Sequence, residues 1–343
     1  MDRKYKTALI IGGGAFGTSV ANLISESFQR VYILVRSNDV FDGINRGENS
    51  IYLPGKQLNS NVSAILSFDD LEADQNDIQL IVSGLPTSAI IPFFTNNREE
   101  VEKLLIKKVP VVCLSKGIDP DTLELPDDLY FDLFPKFKDS FTFLSGPSFA
   151  SEIMDKQITL ASMAGRSRPV LVQVADMLIC PYFKVFLAYD IKGVLLGGAL
   201  KNILAISGGI IEGLGYNHNT RAAMITRGIA EMLRFGKVFN ARPETFYGLS
   251  GMGDLILTTT GDLSRNKSFG MELAKGRKAK EIIDSQRSVV EGYKTALAAH
   301  RLSEKYEIRA RIFNGIYEVL YEDKTPRQII ENLMQLPSKF EID

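Results

Sequence analysis

The segment Ala8-Leu9-Ile10-Ile11-Gly12-Gly13-Gly14-Ala15-Phe16-Gly17 restricts the fold of this chain more than any other stretch. Its apolar run suits a strand buried on both faces of a parallel sheet. The run leads directly into G-x-G-x-x-G, and residues 18–25 continue with a helical pattern. In that context Gly12 allows a tight turn, Gly14 lets the backbone approach a pyrophosphate, and Gly17 lets the helix pack on the strand. The helix N-terminus adds free N–H groups and the positive end of a dipole. Residues 30–35, 80–83, 109–114, 141–144, 159–164 and 183–188 read as further strands, and 99–107 as an amphipathic helix. After Asp190 alternating runs all but cease. The expected fold class is therefore α/β. A Rossmann-like dinucleotide-binding domain covers residues 1–190, and an all-helical domain carrying substrate and catalysis covers 191–343.

A chain of 343 residues can bury two such cores. Its net charge of -1 provides no basic field, so no nucleic-acid partner is expected. Cys113 and Cys180 have no metal-ligand spacing and sit in apolar surroundings. They read as inert thiols of a reducing compartment. With His218 and His300 the only histidines, a His-rich metal site is excluded and no metal is expected. The basic start Arg3-Lys4 precedes an apolar run too short for a signal peptide, so a cytoplasmic protein is expected.

In the helical half, residues 194–211 are apolar around Lys201 and Asn202. That central polar pair argues for a buried helix and against a membrane span. At helical spacing the neighbours of Lys201 are Gly197, Gly198, Leu204 and Ala205, with Gly208 a turn further on. A face so stripped of side chains leaves room for another molecule or another backbone. Lys201 reads as a lysine held for proton transfer; the alternative is a structural ion pair.

Other positions carry chemistry by context. Arg36 follows the second strand, where an NAD-specific site usually has an acidic residue. A guanidinium there can pair with a 2′-phosphate, which predicts that NADPH is accepted. An ordinary surface arginine, with Asp39 as ribose contact, is the alternative. Lys116, at a strand's carboxyl end, faces either the crevice or solvent. Ser148 is expected to cap a helix that follows Gly146 and Pro147. Asn219 is expected to cap a helix running to Phe235 and closed by Gly236. Asp254 is the one charge in the glycine-bent run 248–255. Ser264 reads as an N-cap, with Arg265 and Asn266 in the first turn as a phosphate site. Thr325-Pro326-Arg327-Gln328 reads as the start of the last helix.

Together these pieces resemble the bacterial-type NAD(P)-dependent glycerol-3-phosphate dehydrogenases over essentially the full length. The carrying segments are Gly12 to Gly17, Ser115-Lys116-Gly117, Ser145-Gly146-Pro147-Ser148-Phe149-Ala150, Gly197-Gly198-Ala199-Leu200-Lys201-Asn202, Gly251-Met252-Gly253-Asp254-Leu255, Ser264-Arg265-Asn266 and Val289-Val290-Glu291-Gly292-Tyr293. The resemblance implies NAD(P)H as cofactor and reversible reduction of dihydroxyacetone phosphate to sn-glycerol 3-phosphate, feeding glycerophospholipid synthesis. It implies Lys201 as the catalytic lysine. Lys116, Gly146, Ser148, Lys201, Asp254, Ser264, Arg265 and Asn266 would line the substrate. Gly12, Gly14, Ala15, Phe16, Gly17, Arg36, Lys116, Ala150, Arg265, Val289 and Glu291 would touch the cofactor. Gly13 and Phe16 stand where the family often has other small and aromatic residues. A homodimer is left open. The rivals are a hydroxyacid dehydrogenase, which needs a carboxylate site in place of Ser264 to Asn266, and a non-catalytic dinucleotide sensor.

Overall fold

The computed structural model describes residues 3–285, 290–338 and 340. Its strands are β1 (Tyr5–Ile11), β2 (Phe28–Leu34), β3 (Val62–Ile65), β4 (Ile78–Ser83), β5 (Val111–Cys113), β6 (Phe141–Ser145), β7 (Thr159–Gly165) and β8 (Phe183–Ala188). They form one sheet in the order β3-β2-β1-β4-β5-β6-β7-β8. Pairing is parallel from β3 to β6, antiparallel between β6 and β7, and parallel again between β7 and β8. Ala8, Leu9 and Ile10 of β1 are fully buried, as a central parallel strand requires. Strand order reverses between β1 and β4, which opens a crevice beyond their carboxyl ends.

Two differences from the sequence reading concern the sheet. β3 was not expected: it is only Val62–Ile65, and the polar Asn59-Ser60-Asn61 before it hides the signal. β5 is Val111–Cys113, shorter than the expected run 109–114. Its neighbours still extend the ladder through single bonds, such as Leu114 N–H to Ser83 O at 2.9 Å.

The helical half is built around one helix, Ile191–Gly213. Asp190 starts it. One carboxylate oxygen accepts from Gly193 N at 3.0 Å, and the other accepts from Arg242 N at 2.8 Å and Thr245 Oγ1 at 2.6 Å. By length and composition this helix could cross a membrane, but it lies buried among the other helices. The helices Asp254–Thr260, Arg265–Ala274, Glu291–Lys305 and His218–Val238 all pack on it.

Helix ends bear out some expectations and correct others. Thr325 and Gln328 form the reciprocal cap: Gln328 N–H donates to Thr325 Oγ1 at 3.3 Å, and Thr325 N–H to Gln328 Oε1 at 2.9 Å. Asn219 is not a cap, because the helix already begins at His218, with extended Asn217 before it. Gly236 does not close that helix, which runs to Val238; an added Cβ there would lie 2.5 Å from the Phe246 ring, so the glycine serves packing.

Candidate active site

The glycine turn is assembled as its spacing predicts. Gly12 has φ +105°, a left-handed conformation that a side chain would strain, and its N–H continues the β2 ladder by bonding Leu34 O at 3.0 Å. An added Cβ on Gly17 would sit 2.3 Å from Gly12 O, so the helix Ala15–Ile24 is held hard against the turn. At Gly14 an added Cβ would meet nothing within 4 Å among the described residues. Gly14 is also the N-cap position, and among the described residues no side chain caps this helix. Free N–H groups and open space together make a cradle for a phosphate group.

Lys116 leaves the end of β5 and crosses to the helical half. Its Nζ donates to Asp254 Oδ2 at 2.7 Å and to Gly146 O at 3.0 Å, and lies 5.5 Å from the centre of the Phe16 ring. Asp254 is presented by a π-helical turn, Leu249–Gly253, from which the helix Asp254–Thr260 starts. Such turns are rare and recur at functional sites. The other Asp254 oxygen meets Lys201 Nζ at 3.0 Å. One buried carboxylate therefore serves two ammonium groups from opposite sides of the cleft. Burial is the largest influence on Lys201 and pulls its pKa down to about 8; Asp254 opposes the shift and Lys116 adds to it.

The bare face beside Lys201 is not empty. A Cβ on Gly197 would lie 2.7 Å from Ser250 O, and one on Gly208 would lie 3.2 Å from Thr259 O. A Cβ on Gly198 would lie 2.5 Å from Ser145 Oγ. The glycines admit neighbouring chain, so they do not form the room for a three-carbon ligand that a bare face also suggests.

The sequence marks no role for Asn202, next to Lys201. Its Nδ2 donates to Lys116 O at 3.1 Å, and its Oδ1 accepts from Asn266 Nδ2 at 3.0 Å. Asn266 Oδ1 accepts in turn from Gly292 N at 3.2 Å. This amide relay fixes the loop after β5, the helix Arg265–Ala274 and the start of the helix Glu291–Lys305. Ser264 is a cap: its Oγ accepts from Lys267 N at 3.3 Å. Arg265 is exposed and acts on Glu291. Burial pushes the Glu291 carboxyl up, against the pull of Arg265, Lys201 and Lys116.

The remaining positions divide plainly. Ser148 is not a cap; its hydroxyl donates to Gly146 O at 2.8 Å, closing the same turn that Lys116 holds, and Phe149 takes the N-cap position of the helix Ala150–Met154. That helix packs on the helix Ala15–Ile24, which the glycine turn starts. Arg36 is exposed beyond the end of β2, which lies on the opposite side of β1 from β4 and β5. Val289 lies outside the described residues. Cys113 is buried, which raises its thiol to about 11, and Cys180 is half-buried and also raised by burial.

A doubly wound sheet with a glycine turn, facing a helical half that supplies a buried lysine and its carboxylate, defines a dinucleotide-dependent oxidoreductase. Family models narrow the class: residues 7–169 match the N-terminal model of NAD-dependent glycerol-3-phosphate dehydrogenase, and residues 190–331 match the C-terminal model. The chain belongs to that family. It is 37% identical over 336 residues to glycerol-3-phosphate dehydrogenase [NAD(P)+] of Syntrophotalea carbinolica, covering 97% of this chain and 99% of the relative. It is 39% identical over 326 residues to the corresponding protein of Solidesulfovibrio magneticus, covering 95% and 97%. Among solved structures, glycerol-3-phosphate dehydrogenase of Coxiella burnetii superposes with a TM-score of 0.89 at 29% identity, covering 97% of this chain and 99% of that one.

Proposed function

We propose that this protein reduces dihydroxyacetone phosphate to sn-glycerol 3-phosphate with NAD(P)H, reversibly, in the cytoplasm, supplying glycerophospholipid synthesis. The observation that carries the mechanism is Asp254 shared between Lys201 and Lys116. The cofactor supplies the hydride that arrives at substrate C2. Negative charge then grows on the carbonyl oxygen, and the Lys201 ammonium stabilises it and gives up its proton. In the oxidative direction neutral Lys201 takes the hydroxyl proton. Asp254 orients both lysines and favours the charged form of Lys201. Lys116 holds the Gly146 turn and faces the cofactor side through Phe16. Arg265, beside the N-terminus that Ser264 caps, binds the substrate phosphate, with Asn266 held in place next to it. Gly12, Gly14, Ala15, Gly17 and Ala150 hold the dinucleotide, with Glu291 at its other end. Arg36 meets the ribose 2′ position.

The direct experiment follows nicotinamide absorbance with purified protein and dihydroxyacetone phosphate, NADH and NADPH in parallel. Turnover establishes the reaction. Replacing Arg36 with Ala should then weaken NADPH more than NADH; an equal effect on both removes Arg36 from the 2′ position. Arg265→Ala should raise KM for the phosphate substrate, and an unchanged KM removes the phosphate role. Activity on a hydroxyacid instead of the phosphate ester would overturn the substrate.

A further inference from the structure

We propose that Asn49 is a positioning residue for the cofactor, because it locks the orientation of the Gly13–Gly14 peptide in the glycine turn. The inference rests on reading that turn as the cofactor cradle. Asn49 lies in the loop between the helix Asn38–Asn45 and β3, and only 1% of its surface is exposed. Its Nδ2 donates to Gly13 O at 2.9 Å and to Thr18 Oγ1 at 2.8 Å. The first bond ties a residue 36 positions away to the turn, and the second ties it to the helix that follows.

A carbonyl can only accept, so Gly13 O dictates which end of the amide faces it. That orientation leaves Asn49 Oδ1 buried with no partner among the described residues. A side chain kept only for stability would not be expected to leave a buried acceptor unsatisfied. The bond acts on a peptide flanked by glycine on both sides, which no side chain keeps from rotating. A peptide unit is planar and trans. Fixing Gly13 C=O toward Asn49 therefore fixes Gly14 N–H in the opposite direction, away from the loop. Gly14 is the residue with open space around it, at the head of the helix Ala15–Ile24.

The loop is built to hold Asn49 still. Tyr52 and Leu53 N–H both donate to Asn49 O, at 3.1 and 2.7 Å. Glu48 and Gln57 pair as an isolated antiparallel bridge. At its far end Lys56 Nζ binds both oxygens of Asp155, at 2.5 and 2.6 Å, just past the helix Ala150–Met154. The same short loop thus clamps both backbone segments proposed to meet the dinucleotide.

The test compares the wild type with Asn49→Leu, Asn49→Asp and Gly14→Ala. It reads dissociation constants for NADH and NADPH, kcat at saturating cofactor, KM for dihydroxyacetone phosphate, and Tm. Asn49→Leu should weaken both cofactors about tenfold, roughly 1.4 kcal/mol, with kcat and substrate KM unchanged. Asn49→Asp keeps the size, loses the donor and brings negative charge to a phosphate cradle. Its loss should be larger at neutral pH and should shrink as acid restores a protonated, donating carboxyl. Gly14→Ala fits the protein and should intrude only on the ligand. If Gly14→Ala weakens the cofactor while both Asn49 variants bind as wild type and merely melt earlier, the positioning role is overturned. If Gly14→Ala leaves affinity unchanged, the turn is not the cradle and the inference falls with that reading.

Discussion

A lysine that serves as acid in one direction and base in the other needs a pKa near the working pH. Burial supplies most of that adjustment for Lys201, bringing it to about 8 from the ordinary 10.5, while Asp254 limits the fall. On the proposed mechanism reduction needs the ammonium, so kcat/KM for dihydroxyacetone phosphate should decline as pH rises through about 8, and oxidation should climb over the same interval. Asp254→Asn removes the stabilising charge, so both inflections should move to lower pH. An inflection that stays in place would show that Asp254 does not tune this lysine. Lys201→Ala should abolish turnover and leave cofactor dissociation constants near wild type; near-normal turnover would remove the lysine from the chemistry. The same shift acts on folding. Below about 8 both native and unfolded chains hold the proton and the cost of burying it is fully present. Between about 8 and 10.5 the native state has released the proton while the unfolded chain still binds it, so this group's contribution to stability rises with pH.

At the scale of elements, the helix Ile191–Gly213 shows what a sequence can and cannot say. That it is buried, that Lys201 is its central cation and that its glycines mark a close approach could all be read from residue types and spacing. What approaches could not, because the π-helical turn Leu249–Gly253 comes from distant sequence and has no periodic signature. The role of Asn202 is hidden for a related reason: its amide bonds lie across the fold, to Lys116 and Asn266. Asn49 was hidden likewise, since a lone asparagine in a loop looks like turn chemistry. The glycines of the helix should separate by function. An added Cβ on Gly209 would come within 1.9 Å of Lys267 O, far from Asp254. Gly209→Ala should therefore lower stability by about 1–3 kcal/mol or more and leave the pH profile of the folded fraction intact. At Gly197 the clash is with Ser250 O at 2.7 Å, inside the turn that presents Asp254. Gly197→Ala should reduce kcat out of proportion to its change in Tm. Equal effects of the two substitutions on kcat and Tm would refute the distinction.

Over the whole molecule, the Rossmann-like half was the more legible because parallel strands announce themselves as short apolar runs between glycine turns. The helical half was legible as helical, and Ser264 and Thr325 cap helices there as their spacing suggests, but Asn217 takes the position expected of Asn219, and in the first half Phe149 takes that of Ser148. The sequence also suggests two separate cores, and the packing gives a different picture. One buried cluster contains Leu9, Ile11, Ile81 and Val111 of the sheet together with Leu196, Leu200, Ile203 and Phe313 of the helices. The halves are further tied by Lys116–Asp254, by Asn202 to Lys116 O and by Lys294 Nζ to Ser88 Oγ at 3.1 Å. A core shared in this way couples the unfolding of one half to that of the other. Calorimetry should therefore show a single transition without ligand. A cofactor bound mainly by the first half should shift that whole transition upward, by about 2.7 kcal/mol at roughly a hundred times its dissociation constant. Helical signal and sheet-proximal signal should move together. A second transition left unmoved by NAD(P)H would mean that the helical half folds on its own, and that the site at Lys201 is assembled only when two independent units dock.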